Sequence, residues 1–163
     1  MISEVSWQRS ETTHVSVDGF DAWYATTRPE MVRLAYFLTG SQGVAEEVVQ
    51  DAFVKVLERW GRLDEPSAYL RTCVVNRTRS WHRRRLVALR RGPKLASADV
   101  HDDRIDSLLD SLAALPRRRR EVIVLRFYQQ LSVPEIADAL GCGEGTVKSS
   151  LHRGLAQLKE VLS

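Results

Sequence analysis

The sequence predicts an all-α protein made of two small helical domains joined by a flexible linker. Three observations carry that prediction. Apolar residues recur at three- and four-residue spacing along most of the chain, and glycine and proline are sparse, 9 and 5 in 163 residues. That periodicity breaks over 92–106, a segment that opens Gly92-Pro93 and turns acidic at Asp99, Asp102, Asp103 and Asp106. Arginines gather on each side of it, from Arg77 to Arg91 and from Arg117 to Arg120. The predicted division is an N-terminal arm (1–19), a first domain (20–91), the linker (92–106) and a second domain (107–163).

A hydrophobic content of 44% is enough for packed cores, and a net charge of +3 permits a nucleic-acid partner without requiring one. Cys73 and Cys142 are far apart and lack metal-ligand spacing. This argues against a disulfide framework or zinc site and fits a reducing cytoplasm. The first residues lack the basic segment and apolar run of a signal peptide, and no run approaches the roughly 18 apolar residues of a membrane span.

In chain order, Met1–Val17 reads as a loose arm. A helix is expected over Phe20–Leu38, with Met31, Leu34, Ala35 and Leu38 in register, Pro29 marking a break or a start, and Thr39-Gly40-Ser41 closing it. Val44–Trp60 is a second helix. Val48, Ala52, Val56 and Trp60 form one row, and Ala45, Val49, Phe53 and Leu57 the next. Glu47, Gln50, Asp51, Lys55 and Glu58 occupy the other side, as a solvated face or a docking surface. After the loop GRLDEPS (61–67), Ser67 is expected to cap a helix over Ala68–Arg85. Leu70, Cys73 and Val74 pack its first half; its second half carries Asn76, Arg77, Arg79, Trp81, His82, Arg83, Arg84 and Arg85. Guanidiniums neutralise phosphates and release counterions, and Trp81 offers a flat surface to a base. Complementing a helix dipole explains one or two of these arginines, not the whole run.

Beyond the linker, Ile105–Leu115 sets Leu108, Leu112 and Leu115 in register before Pro116. Glu121–Tyr128 is apolar on most sides through Val122, Ile123, Val124, Leu125 and Phe127, as a central bundle helix should be. Leu131–Leu158 then reads as helix, tight turn, helix. Ser132 and Glu135 form a capping box, Ile136, Ala137 and Leu140 share one face, and Gly141 stops the helix by entering the left-handed conformation. The second helix places Val147, Leu151, Leu155, Leu158 and Leu162 on one stripe and Thr146, Lys148, Ser149, His152 and Arg153 on the other. That pattern suits a DNA-reading helix-turn-helix, and an ordinary helical hairpin would share it.

No nucleophile–base pattern, phosphate-cradling glycine loop or paired carboxylates appear, and His14, His82, His101 and His152 do not cluster. His101 in the acidic linker lacks a second ligand cluster. Neither enzymatic chemistry nor a cofactor or metal is expected.

Two stretches together carry a resemblance. AEEVVQDAFVKVLERW followed by SAYLRTCVVNRTRSWHRRR resembles region two of bacterial sigma factors of the extracytoplasmic-function group, and LAALPRRRREVIVLRFYQQLSVPEIADALGCGEGTVKSSLHRGLAQL resembles their region four. The resemblance implies a transcription initiation factor that binds core RNA polymerase, directs it to promoter DNA and helps open the minus-ten element. It implies polymerase docking by Glu47, Gln50 and Asp51. Minus-ten contacts would come from Asn76, Arg77, Ser80, Trp81 and Arg84, and minus-thirty-five contacts from Thr146, Lys148, Ser149, His152 and Arg153. It also implies a cytoplasmic protein without membrane insertion, open to restraint by an anti-sigma factor. Departures from the family pattern at Gly143, Ser150 and Ala156 make the second helix a lightly charged reader, so tethering to polymerase should supply much of its effective affinity. The alternative is a free-standing helix-turn-helix regulator that binds operator DNA without polymerase.

Overall fold

The computed structural model describes residues 18–92 and 103–163, and every regular element among them is helical. Residues 1–17 of the expected arm (1–19) and most of the linker, with Asp99, His101 and Asp102, lie outside the described residues. The linker's last residues, from Asp103, form the first turn of a helix.

The first three helices are α1 (Phe20–Thr39), α2 (Gln42–Leu57) and α3 (Pro66–Leu89), with a 3-10 turn at Trp60–Arg62. α1 ends at Gly40, whose φ of 71° is the left-handed region that glycine enters without steric cost. One residue on, Ser41 starts α2 by accepting a hydrogen bond from the Val44 amide. Both apolar rows of α2 are buried as expected, apart from Leu57, which is largely exposed, and Trp60, which has left the helix. Phe20, Trp23 and Tyr24 of α1 close one end of the core against Phe53 and Trp60. The Tyr24 and Phe53 rings lie 4.6 Å apart and those of Phe20 and Trp60 5.2 Å, both edge-on.

Two expectations are corrected here. Pro29 neither breaks nor starts α1; it lies inside one continuous helix. The carbonyl that loses its donor belongs to Ala25, and both residues are exposed, so water can take the missing bond. Ser67 is not the cap of α3. Glu65 holds that position, Pro66 begins the helix with its preset φ, and Ser67 Oγ accepts from Trp23 Nε1 at 3.4 Å.

The remaining helices are α4 (Asp103–Ala113), α5 (Arg117–Phe127), α6 (Val133–Leu140) and α7 (Glu144–Val161). The capping box at Ser132 and Glu135 is complete, and Gly141 ends α6 at φ 62°. α5 buries Glu121 to Leu125 consecutively. Phe127, expected inside, is 58% exposed because it falls in the last turn, past the helices that cover α5. Ile105 and Leu108 of α4, Leu155 of α7 and Leu162 just past its end are likewise exposed, so the buried stripes are narrower than the apolar ones. At the α5–α7 crossing the inward position is Gly154: a Cβ there would stand 2.7 Å from Ile123 Cδ1.

The two halves share one core. Arg79 of α3 holds Glu121 of α5 through two hydrogen bonds of 2.8 Å. The Leu38 carbonyl in the last turn of α1 accepts from His82 Nε2 at 2.9 Å and from Arg120 Nη1 at 3.2 Å. Tyr128 Oη donates to the Glu30 carbonyl, Gln129 Nε2 to the Glu30 carboxylate, and the Tyr128 ring meets Phe37 edge-on at 5.1 Å.

Candidate nucleic-acid and polymerase interfaces

An α-helix turns 100° per residue, so side chains that serve one partner must fall on one arc. On α7, Thr146, Lys148, Ser149, His152 and Arg153 span roughly 160° of the helix circumference, and all five are exposed. Val147 and Gly154, the buried positions, point the other way toward α5 and α6. α6 and the Gly141 turn fix the angle at which α7 leaves, and its outer face is exposed among the described residues. Gly143 begins α7 without a side-chain cap, and Ser149 Oγ donates back to the Thr146 carbonyl at 3.2 Å.

On α3 the expected residues also share one arc: Asn76, Arg77, Ser80, Trp81 and Arg84 fall within about 140°. Asn76 and Arg84 are exposed; Arg77, Ser80 and Trp81 are half-buried. Ser80 Oγ accepts from Arg83, and the Arg85 guanidinium lies 5.2 Å from the Trp81 ring centroid, a cation–π contact that holds the indole. Arg79 and His82, counted with the basic run, belong to the opposite face with the buried Val75 and Thr78. They are corrected here: both are engaged with the second half of the chain. Its hydrogen bonds to Glu121 raise the Arg79 pKa, while burial, with Arg120, Arg117 and Arg85 nearby, lowers that of His82 against the opposing effect of the Leu38 carbonyl. The helical wheel carried that signal, since 75, 78, 79 and 82 cluster on it.

On α2, Glu47 and Gln50 are exposed and Asp51 is half-exposed, opposite the buried row Val48, Val49, Ala52 and Val56. Asp51 Oδ2 lies 3.5 Å from Arg77 Nη1, which joins this face to that of α3. The basic run Arg117–Arg120 is largely committed to internal contacts. Arg119 donates to Gln157, Arg120 to the carbonyls of Leu38, Ala113 and Leu115, and Arg117 stands 3.7 Å from Glu121. Among the described residues, His, Cys, Asp and Glu nowhere gather as a metal site, and no helix is long and apolar enough to cross a membrane. Cys73 is buried, which raises its thiol pKa, and Cys142 is half-buried; both are free thiols.

Residues 23–86 match the family model of Sigma-70 region 2, and residues 105–158 match that of Sigma-70, region 4. The RNA polymerase sigma-E factor of Streptomyces avermitilis is 37% identical over 158 residues, covering 91% of this chain and 88% of that protein. The chain belongs to the sigma-70 family. Within it, this sigma factor is of the extracytoplasmic-function group. The ECF RNA polymerase sigma factor SigK of Mycobacterium sp. strain KMS is 28% identical over 163 residues, 90% of this chain and 84% of that one. Among solved structures, the sigma factor RpoE of Bartonella quintana, in complex with the anti-sigma factor NepR, aligns with a TM-score of 0.77 at 27% identity. That alignment covers 90% of this chain and 97% of that one. A sigma factor of this family is a transcription initiation factor: it binds core RNA polymerase and directs it to specific promoters, helping open the minus-ten element. The match of the front half to region 2 disfavours a free-standing helix-turn-helix regulator.

Proposed function

We propose that three separate helix faces divide the work of this initiation factor. The α2 face of Glu47, Gln50 and Asp51 docks on core polymerase. The α3 face of Asn76, Arg77, Ser80, Trp81 and Arg84 engages the minus-ten element, with Trp81 as a stacking surface and the arginines on phosphates. The α7 face of Thr146, Lys148, Ser149, His152 and Arg153 enters the minus-thirty-five major groove. The observation that carries this reading is the segregation of each group onto one accessible arc, opposite the buried one. The corresponding units are 20–91 and 107–163, with 92–106 as connector.

The chain acts without catalysing a reaction of its own, in the cytoplasm where polymerase works. RpoE of B. quintana, solved with NepR, supports an anti-sigma factor as a further partner of this chain. Run-off transcription on genomic fragments with core polymerase tests the reading: specific start sites are expected, and tight operator binding without polymerase association would overturn it. Within that assay, Arg153→Ala should weaken promoter binding and lower the slope of affinity against salt by about one unit if Arg153 meets a phosphate. If it reads a guanine, the loss should concentrate at one base, about 1–3 kcal/mol. An unchanged slope and base preference removes Arg153 from the interface.

A further inference from the structure

We propose that Gly145 is a positioning residue for the minus-thirty-five contact. With no side chain at the centre of the DNA-facing arc, it lets the first turn of α7 seat close to the base edges, where the short side chain of Ser149 reaches them. The inference rests on the assignment of α7 to the minus-thirty-five major groove. At about 100° per residue, Gly145 lies about 40° from Ser149 and about 20° from His152, in the middle of the arc, and about 180° from the buried Gly154. Lys148 and Arg153 stand at the two edges of the arc, about 60° and about 80° from Gly145 on opposite sides.

Nothing in the fold asks for a glycine there. Gly40 and Gly141 take positive φ, and Gly154 faces Ile123 Cδ1 across the α5–α7 crossing. Gly145 has neither reason. It is helical and exposed, its φ is not positive, and a Cβ added to it would meet nothing within 4 Å among the described residues. Glycine destabilises a helix relative to alanine, so the residue weakens α7 with no compensating contact inside the chain. The compensation lies in the groove. An α-helix with its side chains is about 10–12 Å across and the major groove about 12 Å wide, so the residue nearest the groove floor sets how deep the helix goes. Gly145 sits in the first turn, the end of a recognition helix that meets base edges. Ser149 follows it in the same row. Its hydroxyl donates to the Thr146 carbonyl at 3.2 Å, which holds it near the helix backbone and leaves its oxygen to accept from a base amino group. Adenine and cytosine present such a group in the major groove. A reader that short needs the backbone close to the bases, and a methyl at position 145 would hold the helix off. Lys148 and Arg153, long and at the edges, reach flanking phosphates at either depth. Gly145 therefore bears on which sequence is bound more than on how tightly DNA is held.

The test uses holoenzyme, core polymerase with the full chain. It is titrated onto a promoter mapped by run-off transcription and onto the same duplex with its minus-thirty-five element scrambled. The readout is the ratio of the two affinities. Gly145→Ala should lower that ratio by about 5- to 150-fold, the worth of one good base contact, while the melting temperature of the free chain holds or rises. Gly43→Ala makes the same change at an exposed glycine in the first turn of α2, also with open space around it, and should leave the ratio at the wild-type value. In a Ser149→Ala background the loss caused by Gly145→Ala should shrink, since the contact it would misplace is already gone. A high wild-type ratio left unchanged by Gly145→Ala overturns the proposal alone. So does a lower melting temperature of that variant, which would make the glycine a need of the fold, and so do losses that add independently of Ser149. A wild-type ratio near one would instead sink the assignment of α7 to the minus-thirty-five element, and the proposal with it.

Discussion

Arg77 and Arg79 stand two positions apart on α3 and belong to different partners. Arg79 is turned to Glu121 in the other half, whereas Arg77 lies 3.5 Å from Asp51 on the face proposed to dock polymerase. The second pair is half exposed, at 35% and 48%, so solvent screens it and its contribution to stability is at most about 1 kcal/mol. This separates two roles of Asp51 that a charge reversal would mix, since an arginine there would also repel Arg77. Asp51→Asn keeps the shape and removes only the charge. The expected outcome is a melting temperature close to wild type and weaker binding to core polymerase, read by titration with labelled chain. Unchanged binding would make the carboxylate a tether for Arg77 alone.

At the scale of the element, what the sequence disclosed was what depends on neighbours in the chain. The Ser132–Glu135 box, the Gly141 stop and the rows of α2 follow from spacings of three and four, and they stand where those spacings put them. Pro29 and Ser67 went otherwise because the deciding partners are remote or solvent: an exposed carbonyl at Ala25, and Trp23 reaching across to Ser67. Apolar stripes overstated the core at Leu162 and Phe127, where helix ends outrun the helices that cover them, and at Leu155, which stands about 100° around α7 from the buried Gly154. Gly154 is the clearest omission, since its meaning exists only where α7 meets Ile123 of α5. Gly154→Val supplies helix propensity but forces carbon against Ile123 Cδ1 at 2.7 Å, with Arg119 Cβ at 3.4 Å behind it. Overpacking of this kind costs about 1–3 kcal/mol, more than the roughly 0.5–1 kcal/mol regained by removing a helical glycine. Urea unfolding of the full chain should therefore shift to a lower midpoint; a midpoint at or above the wild-type value would mean that the crossing yields freely.

Across the whole molecule, composition and the linker announced two helical units, but nothing local announced that they would close on each other. The contacts that do so join α3 to α5 and α1 to α5, and their polar members, Arg79, His82 and Arg120, read in sequence as parts of two basic runs. One of them also ties the contact between the halves to pH. His82 is lowered in pKa first by burial, with the nearby Arg120, Arg117 and Arg85 adding to the effect and the Leu38 carbonyl opposing it. Released to solvent, it would titrate near its ordinary value of about 6.5. As pH falls through that value the unfolded chain takes up the proton first, because the folded chain binds it only at lower pH. His82's part of the stability is therefore complete above about 6.5 and is lost as pH drops from there toward the lowered value. Thermal melts of the full chain at pH values of about 7.5 and about 5.5 should show a drop at the acidic end. His82→Gln keeps a donor for the Leu38 carbonyl and cannot titrate, so the difference between its acid dependence and that of wild type isolates this group from Glu121 and the exposed His152. Parallel dependences in the two proteins would mean that the His82 side chain is solvated in the folded chain, and would remove it from the contact with α1.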